Sequence, residues 1–253
     1  MQWEFDLTGK KAVVTGAGRG LGKDIAVGLA RYGADVMLWS RTASELEETA
    51  ALVRAEGRTA WVQTVDITNV KETAALAEEA AKIMGRVDIL VNNAGANKPQ
   101  PTEDIDEETW DTVMNINLKG AFFCAQAFGK VMIRQKGGKI INMSSQSGKV
   151  ALFNRAVYCA SKGAVDQFTR VMAYDWAKYG ITVNAVAPTF VATSMTEKML
   201  QDKAFSEYIF SKIRLGRLAK ASEVTAGVLY LASPGADIVT GHILYIDGGW
   251  TIH

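Results

Sequence analysis

The hydrophobic positions of the chain fall into short apolar runs that alternate with longer segments of helical spacing. Seven runs predict strands, and several lack the alternation of a half-exposed strand, which indicates a sheet covered on both faces. These runs are 11–15, 35–39, 60–65, 88–92, 139–144, 182–188 and 243–247. Apolar residues at helical spacing predict helices at 21–32, 43–56, 70–84, 107–135, 157–179 and 222–233.

The alternation of strand and helix predicts right-handed crossovers between parallel strands. We therefore expect an α/β fold in three layers, a doubly wound parallel seven-stranded sheet of the Rossmann type, with residues 1–253 in one domain. Residues 189–215 interrupt the alternation and are too many for a simple turn. Their apolar side chains, such as Met195, Met199 and Phe205, predict a small helical flap over a cleft. The alternative is an insertion packed on the surface.

Composition excludes several classes of function. The 28 lysines and arginines nearly cancel the 27 acidic residues, which leaves no electrostatic basis for binding nucleic acid or an anionic membrane. Cys124 and Cys159 form no Cys-x-x-Cys motif, and His242 and His253 are far from any ligand spacing, so neither a disulfide nor a metal site is predicted. No apolar run has secretory or membrane-spanning length, and we expect a cytoplasmic location.

A glycine-rich turn, TGAGRGLG at 15–22, follows the first predicted strand and opens the first predicted helix. Gly16 allows a tight turn, Gly20 allows the backbone to approach a diphosphate, and Gly22 allows close packing of helix on sheet. Free amides at the helix N-terminus can bind phosphate. This context, rather than the glycines alone, predicts a dinucleotide-binding domain.

The end of the second strand indicates which nicotinamide cofactor is bound. An acidic residue at this position would accept a hydrogen bond from the ribose 2′-hydroxyl, but the chain has Ser40, followed by Arg41. Arg19, inside the glycine turn, adds a second guanidinium that suits a 2′-phosphate. We therefore predict NADP(H), with NAD(H) possible. In the alternative, Arg41 pairs with Glu45 and Arg19 points to water.

Tyr158 and Lys162 are one helical turn apart, so their side chains share a face. A nearby cation favours ionisation of a phenol, and the pair is therefore a candidate acid–base group. Ser145 follows the fifth strand, and the intervening loop is long enough to bring its hydroxyl to the phenol. Because side chains alternate along a strand, either Ser144 or Ser145 faces the cleft, and we favour Ser145. In a purely structural alternative, the pair only occupies a helix face.

Taken together and in this order, the motifs resemble those of the short-chain dehydrogenase/reductase family over essentially the whole chain. They are TGAGRGLG at 15–22, NNAG at 92–95, NINLKG at 115–120, YCASK at 158–162, VNAVAP at 183–188 and DGG at 247–249. Two segments depart from the usual pattern: Thr189 follows Pro188 where a glycine is common, and RLAKASEV precedes the last helix.

The resemblance implies a role for each matching residue. Asn117, Ser145, Tyr158 and Lys162 would form a catalytic tetrad that exchanges a hydride between a nicotinamide and a secondary alcohol or ketone. Asn117 would bulge its helix and hold a water in a proton relay. The implied cofactor-binding residues are Gly16, Arg19, Gly20, Leu21, Gly22, Ser40, Arg41, Asp66, Ile67, Asn93, Ala94, Gly95, Tyr158, Lys162, Pro188, Val191 and Thr193. The resemblance also implies a homotetramer.

Within the family, the chain is similar to sugar-acid dehydrogenases of the gluconate type. Lys98, in the loop after the fourth strand, could bind a substrate carboxylate with help from Asn154 or Arg155, and Ser145 would hold the reacting oxygen. The alternative is that Lys98 is an exposed loop lysine. The alternatives are a carbonyl or 3-oxoacyl-carrier-protein reductase and, more remotely, a nucleotide sensor without turnover. A hydrolase is disfavoured because neither histidine lies near a candidate serine nucleophile.

Overall fold

A computed structural model describes residues 5–192, 196 and 200–252. Its centre is one sheet of seven parallel strands in the order β3-β2-β1-β4-β5-β6-β7. The strands are β1 Lys11–Thr15, β2 Asp35–Ser40, β3 Ala60–Thr64, β4 Ile89–Asn92, β5 Gly138–Met143, β6 Ile181–Pro188 and β7 Ile243–Ile246. The predicted three-layer fold is confirmed.

Helices cover both faces of the sheet. They are α1 Gly20–Arg31, α2 Ala43–Ala55, α3 Val70–Met84, α4 Glu107–Met114, α5 Ala121–Gln135, α6 Ala156–Trp176, α7 Lys203–Lys212 and α8 Ala221–Ala232. One apolar core packs α1, α2 and α8 on one face, and a second packs α3, α5 and α6 on the other. Because both faces are covered, strands such as β2 are buried throughout most of their length.

The predicted helix 107–135 is not continuous. The structure divides it into α4, a π-helical turn at Asn115–Gly120, and α5. The prediction was wrong here because the interruption depends on contacts from another part of the chain: the Asn117 side chain bonds the backbone of Ala96. A π-turn adds one residue to a helical turn and is often found at functional sites. The predicted helix 157–179 likewise ends at Trp176, followed by a 3₁₀ turn.

The described part of segment 189–215 contains α7, which begins at the N-cap Asp202. Ile209 and Ile213 are buried against Leu152 and Trp250. Met195 and Met199, on which the flap prediction also depended, lie outside the described residues. The helical content agrees with the prediction, whereas the role of the segment as a flap over substrate stays a prediction.

Among the described residues, no helix combines the length and the apolar character that crossing a lipid bilayer requires.

Candidate active site

A cavity of about 450 Å³ opens at the carboxyl edge of the sheet, between the ends of β1, β2 and β4. In an open parallel sheet this is where ligands bind, because the strand order reverses there. Twelve of the predicted cofactor residues line it: Gly16, Arg19, Gly20, Leu21, Gly22, Ser40, Arg41, Asp66, Ile67, Asn93, Ala94 and Gly95. The structure thus brings together residues from four separate segments of sequence.

The glycine turn fits a diphosphate. Gly20 has φ +53°, and a Cβ added to it would meet open space, so the backbone faces the cavity without obstruction. Helix α1 starts there without a side-chain cap and without an acidic residue in its first turn. Its amides and dipole are therefore available to an anion.

Asn93 holds the glycine turn in place. Its backbone amide donates to Thr15 Oγ1 at 2.9 Å, and its Nδ2 donates to the Thr15 carbonyl at 3.0 Å. A Cβ on Gly16 would lie 3.0 Å from Asn93 Nδ2 and from Ala94 Cα. The NNAG motif is thus a scaffold for the turn as well as a wall of the cavity.

The corner of the cavity where the cofactor ribose is expected contains an acidic residue that the sequence indicated only as a possible partner for Arg41. We call this part of the cavity the ribose corner. Glu45, on α2, lines the cavity, and its Oε1 lies 3.8 Å from Arg19 Nη1. A Cβ on Gly18 would be 3.0 Å from both Glu45 Oε2 and Ser40 Oγ, so the carboxylate and the hydroxyl reach the same point. Glu45 therefore pairs with Arg19. The pKa of Asp66 is lowered mainly by the hydrogen bonds from the Thr68 amide and hydroxyl, with a smaller contribution from the charge of Arg41.

Tyr158 lies in the first turn of α6, and its phenol interacts with the side chain of Ser145. Ser145 Oγ accepts from the Ser147 amide at 3.1 Å and donates to Gln146 Oε1 at 2.8 Å. Ser144 instead interacts with the buried Asp166. Of the two candidate serines, Ser145 is the one beside the phenol.

Lys162 is buried, and its ammonium donates to the Met143 carbonyl at 2.7 Å. Nζ lies 5.7 Å from the centroid of the Tyr158 ring. Asn117 donates to the Ala96 carbonyl at 2.8 Å and to Ser161 Oγ at 3.1 Å. A Cβ on Gly95 would be 3.3 Å from Asn117 Oδ1 and 3.7 Å from Lys162 Nζ, so these side chains converge at one point beside the cavity.

The pKa of Tyr158 is shifted in the direction opposite to the expected one. The charge of Lys162 is expected to favour the phenolate, but burial raises the pKa of Tyr158, opposed by the neighbouring Ser145 hydroxyl and the charge of Arg155. The ammonium lies over the ring and bonds a backbone carbonyl. Burial also lowers the pKa of Lys162 to about 8, opposed by the charge of Asp166. In this structure Tyr158 is therefore a neutral phenol at pH 7, the form that donates a proton.

The predicted substrate residues have contrasting environments. Lys98 is 43% exposed, and its Nζ is 3.5 Å from both Glu108 Oε1 and Thr112 Oγ1 on α4. Asn154 is exposed, whereas Arg155 is buried. The structure places Arg155 close to Tyr158 and directs Lys98 towards α4.

The remaining predicted cofactor residues follow β6. Pro188 ends that strand, and Val191 forms a parallel bridge with Ala219, just before α8. Thr193 lies outside the described residues. The sequence did not point to several cavity-lining residues, namely Gly18, Trp39, Thr42, Val65, Ala96 and Ile116, nor to Gln146 beside Ser145. Of these, Gly18 and Ile116 carried a signal, through their places in the TGAGRGLG and NINLKG motifs.

Comparison with known proteins decides the family. The profile described as short chain dehydrogenase matches residues 10–204. The chain belongs to the short chain dehydrogenase family. It is thus an NAD(P)-dependent oxidoreductase, as the motifs predicted.

Relatives within this family differ in cofactor and substrate. The chain is 37% identical to gluconate 5-dehydrogenase of Gluconobacter oxydans, covering 98% of this chain and 97% of that protein. It is 41% identical to an NAD-dependent glycerol dehydrogenase of Listeria innocua, covering 98% and 96%. Its structure matches a gluconate 5-dehydrogenase from Burkholderia cenocepacia, solved with NADP and tartrate, with a TM-score of 0.95, 36% identity, and 99% and 98% coverage.

Proposed function

We propose that this short-chain dehydrogenase interconverts a secondary alcohol and a ketone of a sugar acid with NADP(H). Asn117, Ser145, Tyr158 and Lys162 are the catalytic residues of the proposal. The observation that carries it is the position of the Tyr158 phenol, next to the Ser145 side chain and on the same helix face as Lys162, whose ammonium lies beside the cavity of the glycine turn.

The cofactor, when bound, supplies or accepts the hydride at its nicotinamide ring. The residues present fit it, because the unobstructed backbone at Gly20 and the uncapped start of α1 suit its diphosphate. Asp66 would bind the adenine end with one carboxylate oxygen, since the other accepts from the amide and hydroxyl of Thr68.

In reduction, Tyr158 donates its phenolic proton to the substrate oxygen, and in oxidation the ionised phenol accepts the hydroxyl proton. Ser145 holds the substrate oxygen at the phenol. Its proton is directed to Gln146 in this structure, so the Ser145 hydroxyl must rotate away from Gln146 to donate to the substrate. Lys162 keeps a positive charge close to the ring. Asn117, held by hydrogen bonds with the Ala96 backbone, lies beside the same glycine, Gly95, as the ammonium.

NADP(H) is supported by Arg19, Arg41 and the absence of an acid at Ser40, and the Burkholderia cenocepacia structure contains NADP. Glu45 opposes this preference, because its carboxylate occupies the corner where a 2′-phosphate would bind. We therefore infer that NADP(H) is preferred by a modest factor and that NAD(H) is also accepted.

A sugar acid is supported by the gluconate 5-dehydrogenase relatives and by the arginine beside Tyr158. A screen of polyols and sugar acids with both cofactors, monitored at the nicotinamide absorbance, tests the proposal. The proposed function requires faster turnover of a sugar acid with NADP⁺ than of acetoacetyl thioesters with NADPH. The reverse order would favour a 3-oxoacyl-carrier-protein reductase.

We further propose a homotetramer in the cytoplasm. Large apolar side chains are exposed on α4 and α6, including Trp110, Val171 and Tyr174, and their burial between copies would stabilise an assembly. Sedimentation of the purified protein measures the oligomeric state, and a monomer at micromolar concentration would refute this part of the proposal.

A further inference from the structure

Arg155 is a buried guanidinium without a counter-ion in the described part of the chain. It is 5% exposed, and no carboxylate among residues 5–192, 196 and 200–252 lies within ion-pair distance of it. Nη1 donates a long hydrogen bond of 3.4 Å to the Asn154 carbonyl, and Nε is buried without a partner. Burial lowers the pKa of this guanidinium.

The backbone positions Arg155. Asn154 has φ +56°, a left-handed conformation that asparagine tolerates better than most residues. Its carbonyl also accepts from the Gln100 amide at 2.9 Å, which ties the turn to the loop after β4. Arg155 is the next residue and the N-cap of α6. The side chain is therefore held inward by the turn and not by an ion pair.

A buried and unpaired charge costs folding free energy, so an anion that pairs with it on binding gains a strong interaction. Lys98, the other candidate, is not a buried charge without a partner. It is 43% exposed and already lies 3.5 Å from Glu108. An anion would therefore gain more from Arg155 than from Lys98.

Arg155 is also close to the reacting group. It is the N-cap of α6, three residues before Tyr158, and its charge opposes the rise in the pKa of the phenol that burial causes. An anion bound by Arg155 and a hydroxyl bound by Tyr158 can therefore belong to one substrate molecule.

We propose that Arg155 binds the carboxylate of the substrate and makes the enzyme prefer a sugar acid to the neutral polyol of equal length. This inference rests on the proposed dehydrogenase function. A guanidinium can donate two parallel hydrogen bonds to a carboxylate, a geometry that the single ammonium of lysine does not reproduce. A neutral polyol leaves the guanidinium unpaired, so the enzyme should have a higher kcat/KM for the sugar acid than for the polyol.

The test compares D-gluconate with D-sorbitol, which carries a hydroxymethyl group in place of the carboxylate, with saturating NADP⁺. Arg155→Met should lower kcat/KM for gluconate about 100-fold and change that for sorbitol by less than about 3-fold. Arg155→Lys keeps the charge but not the paired donors, and its kcat/KM for gluconate should lie between those of the wild type and Arg155→Met. Arg170→Met is the matched control, because Arg170 is an exposed arginine on α6 whose hydrogen bond goes to Gln167.

Thermal unfolding separates this role from a structural one. Removal of an unpaired buried charge should leave the Tm of Arg155→Met equal to or above that of the wild type, whereas loss of a structural contact would lower it. Three results for Arg155→Met would overturn the inference and leave the dehydrogenase function intact. They are an equal loss of kcat/KM on both substrates, an unchanged kcat/KM for gluconate, and a lower Tm together with parallel losses of kcat/KM.

A wild-type enzyme that oxidises neither compound would instead refute the proposed function. The role of Arg155 is then decided by equilibrium binding. Gluconate should raise the Tm of the wild type with NADP⁺ but not that of Arg155→Met, and stabilisation of both proteins would overturn the inference.

Discussion

Replacement of Glu45 by glutamine should tighten the binding of NADP⁺ and leave that of NAD⁺ unchanged or weaker. Glu45 shares the ribose corner with Arg19 and Ser40, and its carboxylate is 3.8 Å from the Arg19 guanidinium. Glutamine keeps the shape of the side chain but removes the charge that competes with a 2′-phosphate for Arg19.

The magnitude follows from the geometry. The Arg19 side chain is 81% exposed and that of Glu45 is 35% exposed, so a dielectric constant near that of water applies. At 3.8 Å the attraction is then about 1 kcal/mol, which corresponds to roughly a fivefold change in Kd. Screening should reduce the effect to less than about twofold in 1 M salt. Replacement of the charged acceptor for the 2′-hydroxyl by a neutral amide oxygen should also weaken the binding of NAD⁺ slightly.

Fluorescence titration of both reduced cofactors at low and high ionic strength measures the effect. Glu48→Gln is the matched control, because Glu48 also lies on α2 and loses the same charge, but it pairs with Lys23 at 4.0 Å outside the cavity. Unchanged or weaker NADPH binding in Glu45→Gln, or equal tightening in Glu48→Gln, would refute the reasoning.

Three further results are expected. Gly22→Ala should lower the free energy of unfolding by about 1–3 kcal/mol in urea and weaken NADPH binding, because the added Cβ overlaps the Gly16 carbonyl and lies 2.5 Å from Asn93 Nδ2. Asp166→Asn should raise the Tm above that of the wild type at pH 8, because burial raises the pKa of Asp166 and its ionised form destabilises the fold. The difference in Tm between the two proteins should disappear as the pH falls below about 4. Ellman's reagent should titrate one thiol, Cys159, in the native protein and two after denaturation, because Cys124 is buried and its pKa is raised to about 12. Titration of both thiols before unfolding would contradict the burial of Cys124.

The strands and most helices could be predicted because both depend on local periodicity. The limits of α3, Val70–Met84, were correct to the residue, since Asn69 caps its start and Gly85, with φ +78°, ends it. The π-turn at Asn117 could be expected from the family resemblance, which implies a bulge in the helix there, but not from periodicity, because the residues around it suit a continuous helix and the interruption depends on hydrogen bonds to Ala96.

The residues of the candidate site could be predicted where glycines or a motif mark them. They could not be predicted where the position of a side chain depends on packing. Glu45 reads as an ordinary helix residue, and it reaches the ribose corner only because Gly18 has no side chain there. Arg155 could be predicted as a candidate substrate residue, but its burial could not, because the burial follows the left-handed turn at Asn154. The pKa of Tyr158 depends on burial, which spacing from Lys162 does not reveal.

The activity of Tyr158→Phe tests the account most directly, because the substitution removes only the phenolic oxygen. Turnover of gluconate with NADP⁺ should fall at least about 1000-fold, while the Kd for NADPH should stay within about twofold of wild type. Tyr174→Phe, an exposed tyrosine on α6, should leave both values unchanged. Near wild-type turnover by Tyr158→Phe would show that the phenol does not transfer the proton and would contradict the proposed mechanism.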